Sequence, residues 1–262
     1  MTSDSMRVET MGTGHGDPSA TRYHSSSLIT VGGVRYLVDA GEPADTLLWR
    51  RGLKSSELSA IFITHMHCDH AGSLPELIKT ALKYPNQQNR PLTVCLPEAA
   101  AIEPLAKWLQ AMSLGYPSER IVLRPYKAGE FYEDGLLRVT AYPTRHLAAL
   151  DGSHGSYALR LETAEASAVF TGDLRNDASD FPLTAFAENC DIAFCELAHY
   201  DPFALIDIFK QLPVNQLVFQ HILDCWDTPE GLRKINSLLS SLPFHAEIAQ
   251  DGSVYDLPVI TN

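Results

Sequence analysis

The six residues His65-Met66-His67-Cys68-Asp69-His70 place four potential metal ligands together, directly after the apolar stretch Ala60-Ile61-Phe62-Ile63. Imidazole nitrogens and a carboxylate this close together form a donor set suited to divalent ions such as zinc or manganese. A metallohydrolase is the first reading. The plain alternative is a solvent-exposed polar loop that happens to be rich in histidine; four matched donors at a strand's end argue against it.

The surrounding pattern puts this run on a strand-to-helix loop. Ile61-Phe62-Ile63 reads as a buried strand, and Leu74, Leu77, Ile78, Ala81 and Leu82 recur at helical spacing. Ser73 with Glu76 resembles a capping box that would start the helix. Upstream, a strand from Met6 runs into the loop Gly12-Thr13-Gly14-His15-Gly16-Asp17-Pro18. Ser27 to Val31 and Val34 to Val38 read as a hairpin through Gly32-Gly33, where glycine supplies positive φ. The second hairpin strand delivers Asp39 before Ala40-Gly41, and a short helix from Ala44 to Arg51 is stopped by Gly52. Downstream come a strand at Leu92–Leu96, a helix over 97–114 expected to kink at the Pro104 inside it, and β-rich stretches over 120–142 and 156–170. Helices over 202–211 and 228–239 flank a strand at 216–219. No repeat and no linker rich in Pro, Gly or Ser divides the 262 residues. One domain over 1–262 is expected, an α/β four-layer αββα sandwich with two sheets face to face and helices outside.

Composition narrows the partners. A formal charge of -12 argues against a broad basic surface for gripping a phosphate backbone. The five cysteines (Cys68, Cys95, Cys190, Cys195, Cys225) are odd in number and form no C-x-x-C pair, and the chain lacks the charged and apolar regions of a signal peptide. These features point to a reducing cytoplasm. No apolar run approaches the roughly 20 residues that span a bilayer, so no membrane partner is expected. A homodimer is compatible with the sequence, which does not decide the oligomeric state.

Three further polar residues follow apolar or β-like segments: His146 after Thr144-Arg145, Asp173 in Thr171-Gly172-Asp173, and His221 after Leu217-Val218-Phe219-Gln220. Taken singly, each would be a satisfied buried residue or a turn residue. Together they complete a binuclear set. His65, His67 and His146 serve the first ion and Asp69, His70 and His221 the second, with Asp173 and a hydroxide bridging. Zinc is the first choice of metal, with manganese and iron compatible with the same donors.

These residues, in this order from 65 to 221, resemble the metallo-β-lactamase superfamily: His-x-His-x-Asp-His, a later lone His, a Gly-Asp, and a final His after an apolar strand. Gly12-Thr13-Gly14 through Ser25-Ser26-Ser27 and Leu37-Val38-Asp39-Ala40-Gly41 are similar to the amino-terminal half of that fold, and Ala249-Gln250-Asp251-Gly252 to its closing strand. Five histidines and two aspartates are similar to the phosphodiesterase branch, which includes ribonuclease Z and the cyclic phosphodiesterases of phosphonate breakdown. Two departures stand out. Ribonuclease Z carries a long tRNA-gripping arm between the lone His and the Gly-Asp, whereas here that interval is 27 positions (173 − 146), room for a hairpin. In Phe194-Cys195-Glu196-Leu197-Ala198-His199, the histidine that precedes the glutamate in ribonuclease Z is replaced by Cys195, and a histidine follows three places after Glu196.

Chemically, Asp69 is expected to orient or deprotonate the nucleophile while ligating the second ion, His199 is the candidate for protonating the leaving oxygen, and Glu196 is expected to orient His199 or the His221 side. His199 packing beside Tyr200 is the plain alternative. Asp39 either closes a turn or hydrogen-bonds a ligand histidine. His15, His24, His154 and His245 are expected to be structural or exposed, Cys68 to be a small packing residue, and Trp108 and Trp226 to be core or pocket-wall aromatics. The expected activity is hydrolysis of a small phosphodiester such as a cyclic nucleotide or ribose cyclic phosphate, with structured nucleic acid disfavoured. The alternatives are a lactone, thioester or other carboxyl-ester hydrolase of the same superfamily, and a non-catalytic metal-binding sensor module.

Overall fold

A computed structural model describes residues 5–84, 90–147 and 155–258. In chain order its strands are β1 (Met6–Gly12), β2 (Ser26–Val31), β3 (Val34–Val38), β4 (Leu58–Phe62), β5 (Leu92–Leu96), β6 (Ile121–Pro125), β7 (Gly129–Glu133), β8 (Arg138–Pro143), β9 (Tyr157–Glu162), β10 (Ser167–Phe170), β11 (Cys190–Leu197), β12 (Val214–Ile222), β13 (His245–Ile248) and β14 (Ser253–Leu257). The α-helices are α1 (Ala44–Arg50), α2 (Cys68–Ala71), α3 (Leu74–Lys83), α4 (Ile102–Ala111), α5 (Ile206–Phe209) and α6 (Pro229–Leu239).

The strands form two seven-stranded sheets, ordered β14-β1-β2-β3-β4-β5-β6 and β13-β12-β11-β10-β9-β8-β7. Val8, Ile29, Tyr36 and Phe62 of the first sheet share one apolar core with Leu159, Phe170, Phe194 and Val218 of the second. A second core lies under α1, α3 and α4 and includes Leu48, Leu77, Ile78 and Leu109. A third, with Phe209, Phe219, Ile235 and Leu238, lies under α5 and α6. Each sheet thus buries both faces, which gives the four-layer αββα sandwich expected from the sequence.

Within this frame β3 to β6 run parallel, as do β10 to β13. Parallel strands deliver their carboxyl ends to one edge, where ligands gather in open α/β sheets. Asp39, Thr64 to His70, Asp173, Glu196 to His199 and His221 all belong to such ends.

The hairpin forms as read, with Gly32 and Gly33 at φ 55° and 84°. The interval between His146 and Asp173 holds the β9–β10 hairpin. Several local expectations need correction. Ser73 is no capping-box residue; its hydroxyl accepts from the Ala44 amide at 3.0 Å and donates to the Gly41 carbonyl, while Glu76 pairs with Lys79. Pro104 does not kink a long helix, because it falls in the first turn of α4, where its missing N–H has no intrahelical role. The strand read at 216–219 extends over nine residues as β12, and β11 goes unread because a continuous buried run lacks the alternation of a half-exposed strand. Ala249 to Gly252 is the turn between β13 and β14, not the closing strand. Among the described residues no helix is long and apolar enough to cross a membrane.

Candidate metal centre

Phe62 ends β4 by accepting from the Asp39 amide at 2.9 Å, so the tips of β3 and β4 are tied side by side just before the histidine run. The chain then turns through Thr64 and His65 into α2, which carries Asp69 and His70. From the second sheet, Gly172 turns the chain after β10. Its φ is 58°, and a Cβ there would lie 2.6 Å from the Tyr157 carbonyl oxygen, so only glycine lets Asp173 follow at this point. His221 and Asp39 adopt positive φ (53° and 58°), a conformation that costs free energy in non-glycine residues and concentrates at functional sites.

The seven residues named from the sequence come together in two groups: His65, His67, His146 and Asp173, then Asp69, His70, Asp173 and His221. In each group the offered atoms lie within 4.8 Å of one another. Asp173 belongs to both. Its Oδ2 lies 3.5 Å from His65 Nε2, 3.4 Å from His221 Nε2 and 3.8 Å from His146 Nε2, and its Oδ1 lies 3.3 Å from His70 Nε2. Asp69 Oδ2 lies 3.2 Å from His70 Nε2 and 3.8 Å from His221 Nε2. A tetrahedral ion with ligand distances of about 2.0–2.1 Å sets its ligand atoms roughly 3.4 Å apart, so the spacing suits a cation at the middle of each group. His65 Nε2, His70 Nε2 and Asp173 Oδ1 are buried and make no well-formed hydrogen bond among the described residues. Buried polar atoms are rarely left so, and a divalent ion in each group would between them satisfy all three.

The remaining ring nitrogens are engaged elsewhere. His70 Nδ1 donates to Asp39 Oδ2 at 2.8 Å, and His146 Nδ1 donates to the Leu174 carbonyl at 3.0 Å. His221 Nδ1 is 2.8 Å from the Ser25 hydroxyl, and His65 Nδ1 is 3.2 Å from that of Thr64, whose own hydroxyl donates to Asp39. Such contacts fix ring orientation and tautomer, leaving Nε2 free to ligate. His67 instead turns Nδ1 to the shared point, 3.3 Å from His146 Nε2. Asp39 therefore bonds a ligand histidine as well as ending its strand. Ser25 and Thr64 as ring-positioning residues were missed; adjacency to His65 was the available signal for Thr64, whereas Ser25 meets His221 only through the fold.

Charges follow the same plan. Burial, then the neighbouring His70 charge, pushes the His65 pKa well below its ordinary value, and burial likewise lowers His67 and His221, so these rings favour the neutral, ligating form. Burial opposes ionisation of Asp173, but His221, His70 and His65 outweigh it and hold the carboxyl well below the usual range. Asp69 is lowered in the same way, burial being overcome by its close contact with His70 Nε2 at 3.2 Å and the charges of His70 and His221. Burial also works against charge on His70, yet Asp173 and Asp39 prevail and raise it well above 6.5.

His199 lies on the open side, its ring 4.6 Å from that of His146 and stacked at 5.6 Å on His221. Its Nδ1 donates to Glu196 Oε1 at 3.1 Å. Burial lowers its pKa, but the hydrogen bond and charge of Glu196 and the charge of Asp173 raise it overall to about 9. Glu196 is buried and accepts also from the Leu174, Ala198 and His199 amides at 2.8–2.9 Å. It bonds the His199 ring and ties the Asp173 turn to β11, and its charge also acts on His221. Tyr200 is buried beneath, its hydroxyl donating to the Glu196 carbonyl. Elsewhere, Cys68 and Trp108 are exposed and not packed, Trp226 packs against the third core, His15 is buried, His24 is half-buried and His245 is exposed. His154 lies outside the described residues.

Fold and donor set together define a metal-binding chain of the metallo-β-lactamase fold. The family described as Anti-Pycsar protein Apyc1 matches residues 6–213, and the chain belongs to it. It is similar to ribonuclease BN of Erwinia tasmaniensis, 35% identical over 147 residues that make up 54% of this chain and 46% of that protein. The chain thus matches somewhat less than half the length of that relative. Among solved structures it resembles the metallo-beta-lactamase fold protein YhfI from Bacillus subtilis, with a TM-score of 0.73 at 22% identity over 97% of this chain and 100% of that one. Human tRNase Z, short form, superposes with a TM-score of 0.70 at 20% identity over 97% of this chain and 100% of the human chain.

Proposed function

We propose that the protein is a binuclear metal-dependent phosphodiesterase acting on a small phosphodiester, of the size of a cyclic nucleotide or a ribose cyclic phosphate. The observation that carries the reading is the sharing of Asp173 between two groups of donors, with His199 at their open side. Bound there, two divalent ions, zinc first and manganese or iron as alternatives, would supply activated water near neutral pH and neutralise charge on phosphoryl oxygens. The chain's own residues do the rest. Asp69, ionised and facing both His70 and His221, orients the nucleophile and accepts its proton. His199, kept protonated by Glu196, delivers a proton to the leaving oxygen. The buried rings of His65 and His70 exclude water from the deep side.

A small substrate is supported by the net charge of -12 and by the shortness of the interval before Asp173, 27 positions (173 − 146), which holds the β9–β10 hairpin. An RNA phosphodiester is the second reading, favoured by the likeness to ribonuclease BN across about half of the chain. Five free cysteines support a cytoplasmic setting, and ligands drawn from both sheets support one catalytic unit. The test is turnover of bis(p-nitrophenyl) phosphate, cyclic nucleotides and a tRNA precursor by zinc-, manganese- and iron-loaded protein. Cleavage of lactones or thioesters with every phosphodiester untouched would overturn the proposal. Asp69→Asn should lower phosphodiester turnover by orders of magnitude; a variant that binds ligand with no turnover to lose, in wild type or mutant, would mark a sensor instead.

A further inference from the structure

We infer that His15 is a substrate-binding residue of this centre, donating a hydrogen bond from Nε2 to a phosphoryl oxygen of the bound phosphodiester; the inference rests on the proposed phosphodiesterase reading. His15 lies in the loop Gly12-Thr13-Gly14-His15-Gly16-Asp17, between β1 and β2. The loop is pinned on one side to the strand that carries His221: the Ile222 amide donates to the Thr13 carbonyl at 2.7 Å, and Gly14 bridges to Ile222. On the other side it meets Asp69, since a Cβ on Gly16 would stand 3.4 Å from Asp69 Oδ2. His15 is thereby held on the flank of the second donor group, between the segments bearing Asp69 and His221.

Its ring is poised as a donor. The Asp17 amide donates to His15 Nδ1 at 3.2 Å, so that nitrogen is an acceptor and the neutral ring carries its proton on Nε2. The side chain is only 8% exposed, yet Nε2 is one of five buried polar atoms without a hydrogen-bond partner among the described residues. Three of the others are His65 Nε2, His70 Nε2 and Asp173 Oδ1, which face the metal positions, and the fourth is the Ser26 hydroxyl. The Asp224 carboxylate stands 3.5 Å from His15 Nε2, beyond an ordinary N–H···O bond, and is itself 60% exposed. A fixed, buried and unanswered N–H beside a site for anionic esters is matched by an acceptor that arrives with the substrate, and a phosphoryl oxygen is the acceptor such a substrate brings. His15 belongs to neither donor group, so its part is to position the ester.

The test compares metal-loaded wild type with His15→Phe, which keeps the ring shape without the donor, and His15→Gln, which keeps an N–H. Binding of inorganic phosphate is read by titration calorimetry, and metal content and melting temperature are measured on each. Phosphate affinity and KM for bis(p-nitrophenyl) phosphate should weaken about tenfold or more in the Phe variant, the effect of one lost hydrogen bond to a charged group. The Gln variant should recover most of that loss, and metal content should stay at the wild-type value in both. Unchanged phosphate binding in the Phe variant would overturn the inference. So would equal losses in Phe and Gln, or a loss of metal in the Phe variant, since either would mark a structural role. If wild type cleaves no phosphodiester, the function reading fails by itself, and the phosphate titration still judges His15.

Discussion

The His70 ring condenses the logic of the centre into one side chain. In the metal-free chain Asp39 and Asp173 hold its pKa well above 6.5 despite burial, so at neutral pH it is protonated, with Nδ1 bonded to Asp39 and Nε2 facing Asp69 and Asp173. A cation entering the second group must take the place of that Nε2 proton. Metal loading near pH 7 should therefore release a proton, and apparent affinity should rise with pH up to the metal-free pKa of this ring. Calorimetry in buffers of different ionisation enthalpy reads the proton count, and a value of zero would contradict the assignment. His65, lowered by burial, carries no such proton and contributes nothing to the release.

At the scale of elements, the centre depends on how strands end and helices begin. Gly172→Ala would force a Cβ to 2.6 Å from the Tyr157 carbonyl at a φ of 58°. The shift falls on Asp173, so metal content should drop together with melting temperature, whereas a purely packing defect would spare the metal. Thr228, whose hydroxyl accepts from the Gly231 amide at 3.0 Å, caps α6 far from the ligands. Thr228→Ala should cost about 1 kcal/mol, or about 2–4 °C in melting temperature, with metal content unchanged. The sequence makes the run at 65–70, the hairpin, α3 and the end of β3 legible because each depends on neighbours within a few positions, whereas His146, Asp173 and His221 become candidates only through their joint order with that run. Ser25 beside His221 and β11 between its parallel partners were not legible, for they arise from pairings between distant segments and from a strand buried on both faces. Trp108 misled for the opposite reason: apolar character reads as core, yet α4 turns that residue to solvent at 59% exposure.

On the scale of the molecule, the donors straddle the sandwich. His65, His67, Asp69 and His70 follow β4 of the first sheet, whereas Asp173 and His221 end β10 and β12 of the second, and His146 lies just beyond β8. Ions held by both would fasten the sheets at one edge. Chelation should then lower the melting temperature by about 5–10 °C for metal present near a hundredfold over its dissociation constant, with recovery on metal return. An unchanged melt would show that the sandwich closes without help from its ions.

The order of donors along the chain carries a consequence for how the centre matures. The first group is complete once residue 173 has emerged from the ribosome, because β10 pairs with β9 upstream of it. The second waits for His221 at the end of β12, which must find its place beside β11. A growing polypeptide would thus bring the donors of one group together before those of the other, and the pair would form only after residue 221 had been made. Hydrolysis that needs both groups would therefore wait for β12 to take its place.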